Sequence, residues 1–163
     1  MTKIPFHVSI KERPELELFG LVVRTDMTKA FKDCSGLWEN IFCPRMPELS
    51  GKPLDQPQGE SYGLSLMVDM QTGVFDYWAA MPLGPGLPEP EGMSRIMLPA
   101  GLYAGCRLNG LEQLSEAYSY LYEQWPASNP GYSFNLEAPC FELYGPSYLQ
   151  DGSLDIFVPV KKK

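Results

Sequence analysis

Leu37-Trp38-Glu39-Asn40 in the first half of the chain returns in the second half as Leu121-Tyr122-Glu123-Gln124, followed by Trp125-Pro126. Each quartet lies near the end of a helical pattern. Phe31, Cys34, Leu37, Trp38, Ile41 and Phe42 recur at steps of three and four. So do Leu111, Leu114, Tyr118, Leu121, Tyr122 and Trp125. That spacing lines one face of a helix with apolar side chains. Pro44 and Pro126 are expected to stop the two helices, because the ring removes an N–H and crowds the preceding turn. Asp26 is placed to cap the first helix near Met27. Asn109 with Glu112 reads as a capping box that opens the second.

Outward from the helices the pattern changes to strands. Segments 6–11 and 16–24 precede the first helix, and 62–69 and 74–81 follow it, joined by a turn at Gln71–Gly73. In the second half, 93–98 and 102–108 flank a turn at Pro99-Ala100-Gly101. Segments 139–144 and 154–160 come after the helix. All alternate apolar and polar residues well enough for half-buried strands. Loops are expected at 44–60, which carries four prolines, and at 127–135. The stretch 82–92, Pro82-Leu83-Gly84-Pro85-Gly86-Leu87-Pro88-Glu89-Pro90-Glu91-Gly92, excludes a helix or a central strand and reads as a connector or flap. The order is therefore strand, strand, helix, strand, strand, used twice. The expected fold is α+β: a single domain over 1–163 with pseudo-repeats at about 1–82 and 92–163, two main helices and an antiparallel sheet.

At 163 residues the chain has enough length for one real core, and at 44% apolar it is not a disordered polymer. Its formal net charge of −7 repels phosphate backbones, so direct nucleic-acid binding is not expected and a cationic ligand suits the sign better. Lys161, Lys162 and Lys163 read as a solvated tail. No apolar run is long enough to span a membrane and no leader pattern opens the chain, so the expected setting is cytoplasmic, without a membrane partner. Cys34, Cys43, Cys106 and Cys140 are scattered and read as free thiols. With His7 the only histidine, neither a metal site nor a Ser-His or Cys-His pair is expected. No glycine-rich phosphate or dinucleotide loop is present, so no cofactor is expected.

What stands out is the aromatic load. Most of these rings fill a core, but several tyrosines together make a wall part apolar and part polar, and ring faces attract cations. In Pro139-Cys140-Phe141-Glu142-Leu143-Tyr144, alternation puts Phe141 and Leu143 on one face and Cys140, Glu142 and Tyr144 on the other. Glutamate is a poor strand residue. Two readings of Glu142 stay open on spacing alone: a solvent-facing side chain, or a negative charge set among aromatic rings.

Eight short stretches, in order and over nearly the whole chain, resemble the GyrI-like effector-binding domain, which also forms the ligand-binding part of multidrug-responsive transcription activators. They are Phe19-Gly20-Leu21-Val22, Leu37-Trp38, Tyr62-Gly63-Leu64, Phe75-Asp76-Tyr77, Leu98-Pro99-Ala100-Gly101-Leu102-Tyr103-Ala104, Tyr122-Glu123-Gln124-Trp125-Pro126, Phe141-Glu142-Leu143-Tyr144 and Ile156-Phe157-Val158-Pro159-Val160. The resemblance implies two modules about a pseudo-twofold axis with a ligand cleft between them, and it makes Glu142 the buried acid that faces the ligand. Tyr77, Tyr103, Trp125, Tyr144 and Trp38 are then the candidates for the aromatic wall. The expected ligand is lipophilic and cationic. The regulators of this family carry a helix-turn-helix segment ahead of the domain; here the first strand is expected by Phe6, so the expectation is a stand-alone binding or sensing domain. Two alternatives come with the resemblance. One is a hydrolase that opens the cyclopropane of DNA-alkylating natural products, with Glu142, Trp125 and Tyr103 as its residues. The other is a gyrase-interacting, inhibitor-like protein. No particular protein partner is implied.

Overall fold

A computed structural model describes residues 6–163. Two compact units divide the chain, here named for their place in the sequence. The inner unit is Leu16–Leu98; the outer unit joins residues 6–15 to Pro99–Lys163.

In chain order the first strand is β1 (Ser9–Arg13), in the outer unit. The inner unit begins with β2 (Leu16–Thr25). Helix α1 (Ala30–Gly36) follows, continues as a wider π-helical stretch over Leu37–Phe42, tightens to a 3₁₀ turn at Cys43–Arg45, and ends in α2 (Pro47–Ser50). Strands β3 (Ser61–Asp69), β4 (Val74–Met81) and β5 (Ser94–Leu98) complete it. The outer unit resumes with β6 (Gly101–Leu108), a 3₁₀ turn at Leu111–Gln113, α3 (Leu114–Ser119), a second π-helical stretch at Tyr120–Gln124 and α4 (Trp125–Ser128). It closes with β7 (Tyr132–Phe134), β8 (Cys140–Tyr144), α5 (Pro146–Asp151) and β9 (Leu154–Lys162). The mixed α+β class and the doubled order agree with the sequence reading.

Strand pairing is antiparallel within each unit. The inner order is β5-β2-β4-β3. The outer order is β1-β6-β9-β8, with β7 added on β9. The two orders are the same, and each borrows its edge strand from the neighbouring repeat in sequence. β1 precedes β2 yet pairs with β6, and β5 precedes β6 yet pairs with β2. The Pro99-Ala100-Gly101 segment thus does not close a hairpin; the chain leaves one unit and enters the other there. Proline after each edge strand (Pro14, Pro99) favours extended backbone rather than the tight φ > 0 turn a two-residue hairpin needs.

Each helical run covers one sheet face with its apolar stripe. In the inner unit Phe19, Leu37, Phe42, Leu49, Phe75, Tyr77, Ala79 and Met81 form the core. In the outer unit the core includes Ala104, Cys106, Leu108, Ala117, Leu121, Trp125, Ile156 and Val158. Fully burying a leucine such as Leu121 or Leu49 stabilises by about 1.5–3 kcal/mol.

The helix ends differ from the expectation. Pro44 and Pro126 do not stop the runs; each lies in the first turn of the next short segment, where no N–H is needed. Gly51 (φ 73°) ends α2 and Gly152 (φ 80°) ends α5, both in the left-handed region open to glycine. At the second helix Gln113, not Glu112, reaches back: its Oε1 accepts from the Asn109 backbone N–H at 2.7 Å. Asp26 does collect donors, from the N–H groups of Thr28 and Lys29 at 2.9 and 3.2 Å, but the α-helix begins only at Ala30. Lys161 and Lys162 are exposed but belong to β9, paired with β7, rather than to a loose tail. None of the four cysteines is joined in a disulfide. Among the described residues no helix is long and apolar enough to cross a membrane.

Candidate functional site

Strand alternation in β8 turns Cys140, Glu142 and Tyr144 toward the outer unit's helix and Phe141 and Leu143 to the other sheet face. Glu142 is 3% exposed, so the solvent-facing reading does not hold. Burying a carboxylate is costly unless it is hydrogen-bonded. Here each oxygen is met by a phenol. Tyr118, on α3, donates to Oε2 at 3.0 Å, and Tyr144, two residues along β8, donates to Oε1 at 3.1 Å. Donors of this kind favour the ionised form and oppose the desolvation that disfavours it.

The surroundings keep the Tyr118 phenol protonated. Burial, and then the charge of Glu142, hold the Tyr118 hydroxyl well above the ordinary tyrosine value, so it remains a donor. Burial pushes the neighbouring Cys140 thiol up to about 11, which leaves it neutral and unreactive at physiological pH. Tyr122 stacks on Tyr118 with ring centroids 6.4 Å apart and touches Phe134 at 4.9 Å. Tyr144 meets Tyr148 edge-on at 4.9 Å. The Glu142 carboxylate thus sits against Tyr118 and Tyr144, whose rings in turn meet Tyr122 and Tyr148.

The remaining expected site residues fall into three places. Trp125 opens α4, is buried in the outer core, and packs on Tyr132 at 6.0 Å. Tyr103 lies on the opposite face of the outer sheet from Glu142. It meets Phe141 edge-on at 5.4 Å, and its hydroxyl donates to the Pro99 carbonyl at 2.7 Å. Trp38 and Tyr77 belong to the inner unit, where the indole Nε1 donates to the Tyr77 hydroxyl at 2.8 Å. The structure therefore joins Glu142 to Tyr144 and Trp38 to Tyr77, and it turns Tyr103 away from the carboxylate. Tyr118 went unrecognised as a site residue. Its place on the apolar stripe suggested core, and only the hydroxyl, which a dry core does not accommodate, hinted otherwise. Both π-helical stretches occur at the matching quartets. The Cys43 N–H bonds to the Trp38 carbonyl and the Trp125 N–H to the Tyr120 carbonyl, the widened turn often found at functional sites. Among the described residues no group of His, Cys, Asp and Glu is gathered to hold a metal ion.

This duplicated α+β frame is that of a class of small-molecule-binding domain. The chain belongs to the GyrI-like small molecule binding domain family, which matches residues 6–161. It is 30% identical to the transcriptional regulator BrlR of Pseudomonas aeruginosa over 94% of this chain and 55% of BrlR, so it spans about half the length of that curated relative. Two solved structures share the fold. One is SAV2435 bound to tetraphenylphosphonium (18% identity, TM-score 0.69, 95% of this chain and 94% of that one). The other is an integron cassette protein from the mobile metagenome of Vibrio cholerae (20% identity, TM-score 0.66, 96% and 97%).

Proposed function

We propose that the protein binds lipophilic organic cations, with Glu142 as the anionic contact and tyrosine rings around it. The observation that carries this reading is the buried carboxylate with a tyrosine hydroxyl on each oxygen. Small-molecule binding follows from the family. The preference for cations is argued from the charge itself. A negative group kept out of water, with its shell made of hydroxyls and ring faces, offers a cation both Coulomb attraction and cation–π contact. The tetraphenylphosphonium held by SAV2435 is a ligand of this chemistry. Because Glu142 is almost wholly covered, an entering cation needs Tyr118 or Tyr144 to turn aside. Binding is then slower than diffusion.

Calorimetric titration of the wild type and Glu142→Gln with tetraphenylphosphonium tests this, with triphenylphosphine oxide as the uncharged counterpart. The variant should lose roughly ten- to a hundredfold in affinity for the cation, the scale of one charge-assisted contact of 1.5–3 kcal/mol. The neutral ligand should change little. Equal cation affinity in the two proteins would leave Glu142 a structural residue.

A further inference from the structure

The proline- and glycine-rich stretch 82–92 belongs to the inner unit and is pinned at two points to its helical run. The Gly84 N–H donates to the Leu49 carbonyl at 2.8 Å. Arg45 Nη2 donates to the Glu91 carbonyl at 2.6 Å, while its Nε donates to Glu48 at 2.6 Å. Across from this stretch, the loop after α2 is held from within by one side chain. Gln58 Nε2 donates to the carbonyls of Lys52, Pro53 and Gln56 at 3.3, 2.8 and 3.0 Å, and its Oε1 accepts from the Ser50 hydroxyl at 2.5 Å. Between the two segments runs a groove of about 270 Å³. Both walls are fixed before anything binds, and a preorganised site loses less entropy on association.

The lining restricts what the groove can hold. Pro82, Leu83 and Pro85 supply an aliphatic wall, and Leu49 and Met81 close its base. No aromatic ring is among the lining residues, so a delocalised cation gains no cation–π contact here, unlike beside Glu142. The side-chain donors of the rim are committed, the Gln58 amide to carbonyls and the Ser50 hydroxyl to Gln58. An anion therefore meets no free side-chain donor.

Glu60 is the charged residue of the lining, and it makes no ion pair among the described residues. In a chain of net charge −7 the background field also favours a positive ligand. A compact ammonium carries three N–H donors and can make a charge-assisted hydrogen bond to that carboxylate, which a tetraarylphosphonium cannot. A cavity of roughly 150 Å³ holds one benzene ring, so this groove has room for one saturated ring with a charged head.

We propose that this groove is a second binding site, for a small aliphatic primary ammonium. The ammonium pairs with the Glu60 carboxylate at the rim, and the hydrocarbon lies along Pro82, Leu83 and Pro85. The site is independent of the cation reading of Glu142.

Cyclohexylammonium is the probe, followed by amide chemical-shift mapping and titration of the full chain. Methylammonium supplies the charge without the body, cyclohexanol the body without the charge, and cyclohexanecarboxylate the body with the opposite charge. The probe should shift the amides of Ser50, Glu60, Leu83 and Gly84 and bind more tightly than all three controls, more weakly at high salt than at low. Glu60→Gln should lower its affinity roughly two- to fivefold, the scale of a solvent-exposed ion pair. The variant, changed at an exposed side chain, should keep the wild-type urea midpoint and the wild-type affinity for tetraphenylphosphonium. A probe no tighter than methylammonium or matched by the carboxylate, shifts centred elsewhere, or an unchanged affinity in Glu60→Gln would each overturn the proposal. So would an equal loss of tetraphenylphosphonium affinity in Glu60→Gln, which would make Glu60 a contributor of net charge alone.

Discussion

The inner and outer units share a strand order and a widened helix but not a chemistry. Matching registers align them. Gly20 pairs with Ser94 on its edge strand and with Ala80; Gly105 pairs with Ser9 and with Phe157. The next inward positions are Ala79 and Ile156, and opposite them lie Gly63 on β3 and Glu142 on β8. The buried carboxylate of the outer unit thus corresponds to a bare glycine in the inner one. Likewise Tyr144 corresponds to Ser65, and Tyr118, three residues before Leu121, to Cys34, three before Leu37. The inner unit spends its polarity differently, in the Trp38–Tyr77 hydrogen bond. A common backbone with a common apolar stripe holds either arrangement. Three side chains, Glu142, Tyr118 and Tyr144, give the outer unit a buried, hydrogen-bonded carboxyl group with no counterpart at the matching inner positions.

If the frame is shared, equivalent core positions should cost alike. Leu37→Ala and Leu121→Ala remove matching buried leucines, 5% and 0% exposed. Each should destabilise by roughly 2–5 kcal/mol in urea unfolding. A loss confined to one of the two would break the equivalence.

The chemical difference should appear next, in binding. Gly63→Ala, the inner counterpart of the Glu142→Gln change, should leave tetraphenylphosphonium affinity unaltered. If it weakened binding as much as Glu142→Gln does, the inner unit would hold part of the anionic site. Removing one hydroxyl is a smaller step. Tyr118→Phe and Tyr144→Phe should each cost about 0.5–1.5 kcal/mol of stability, or up to about 3 because the acceptor is charged. Trp38→Phe should cost a similar neutral hydrogen bond and leave cation affinity unchanged, measured on the same calorimeter.

Burial raises thiols in both units, Cys43 in the inner one among them, but the largest shifts lie in the outer unit. Burial raises Cys106 and Cys140 to about 11 and Tyr118 well above its usual value, all in the outer unit. The folded state holds these protons more tightly than the unfolded chain does. Their contribution is complete below the unfolded cysteine value of about 8.5 and is lost as pH rises toward 11. Urea midpoints should therefore fall through that window. Amide exchange should show β8 and β9 opening before β2 and β4. Cys106→Ala should flatten the fall; an unchanged slope would remove Cys106 from the account. The smallest effect belongs to the surface pairs. Arg24 with Asp76 and Arg107 with Asp155 are cross-strand bridges with well-exposed arginines, and Arg24→Ala should change stability by less than about 1 kcal/mol.

Much of this was legible in the residues themselves. The doubled order came from periodicity, since a 3.6-residue stripe and a two-residue alternation are local properties of a chain. The helix ends are not legible in the residues, because proline is a stop signal inside a helix and a tolerated start of the next turn, and the residue string alone does not distinguish the two. Strand β7 lies in a stretch expected to be loop and helix α5 in one given no element: one is three residues long, the other six, too short for a period to show.

The sequence by itself determined that Glu142 shares a face with Cys140 and Tyr144, because strand geometry admits nothing else. It also determined that two apolar stripes require two sheet faces. Tertiary structure alone decided which way the face of Glu142 turns and that Tyr118, twenty-four residues earlier, meets it. It alone sent β1 to β6 and β5 to β2 rather than to their neighbours in sequence. The physical reason is the same in each case. Local pattern fixes which atoms lie on one side of an element, while burial of a charge or the choice of a strand's partner depends on free energy summed over distant segments.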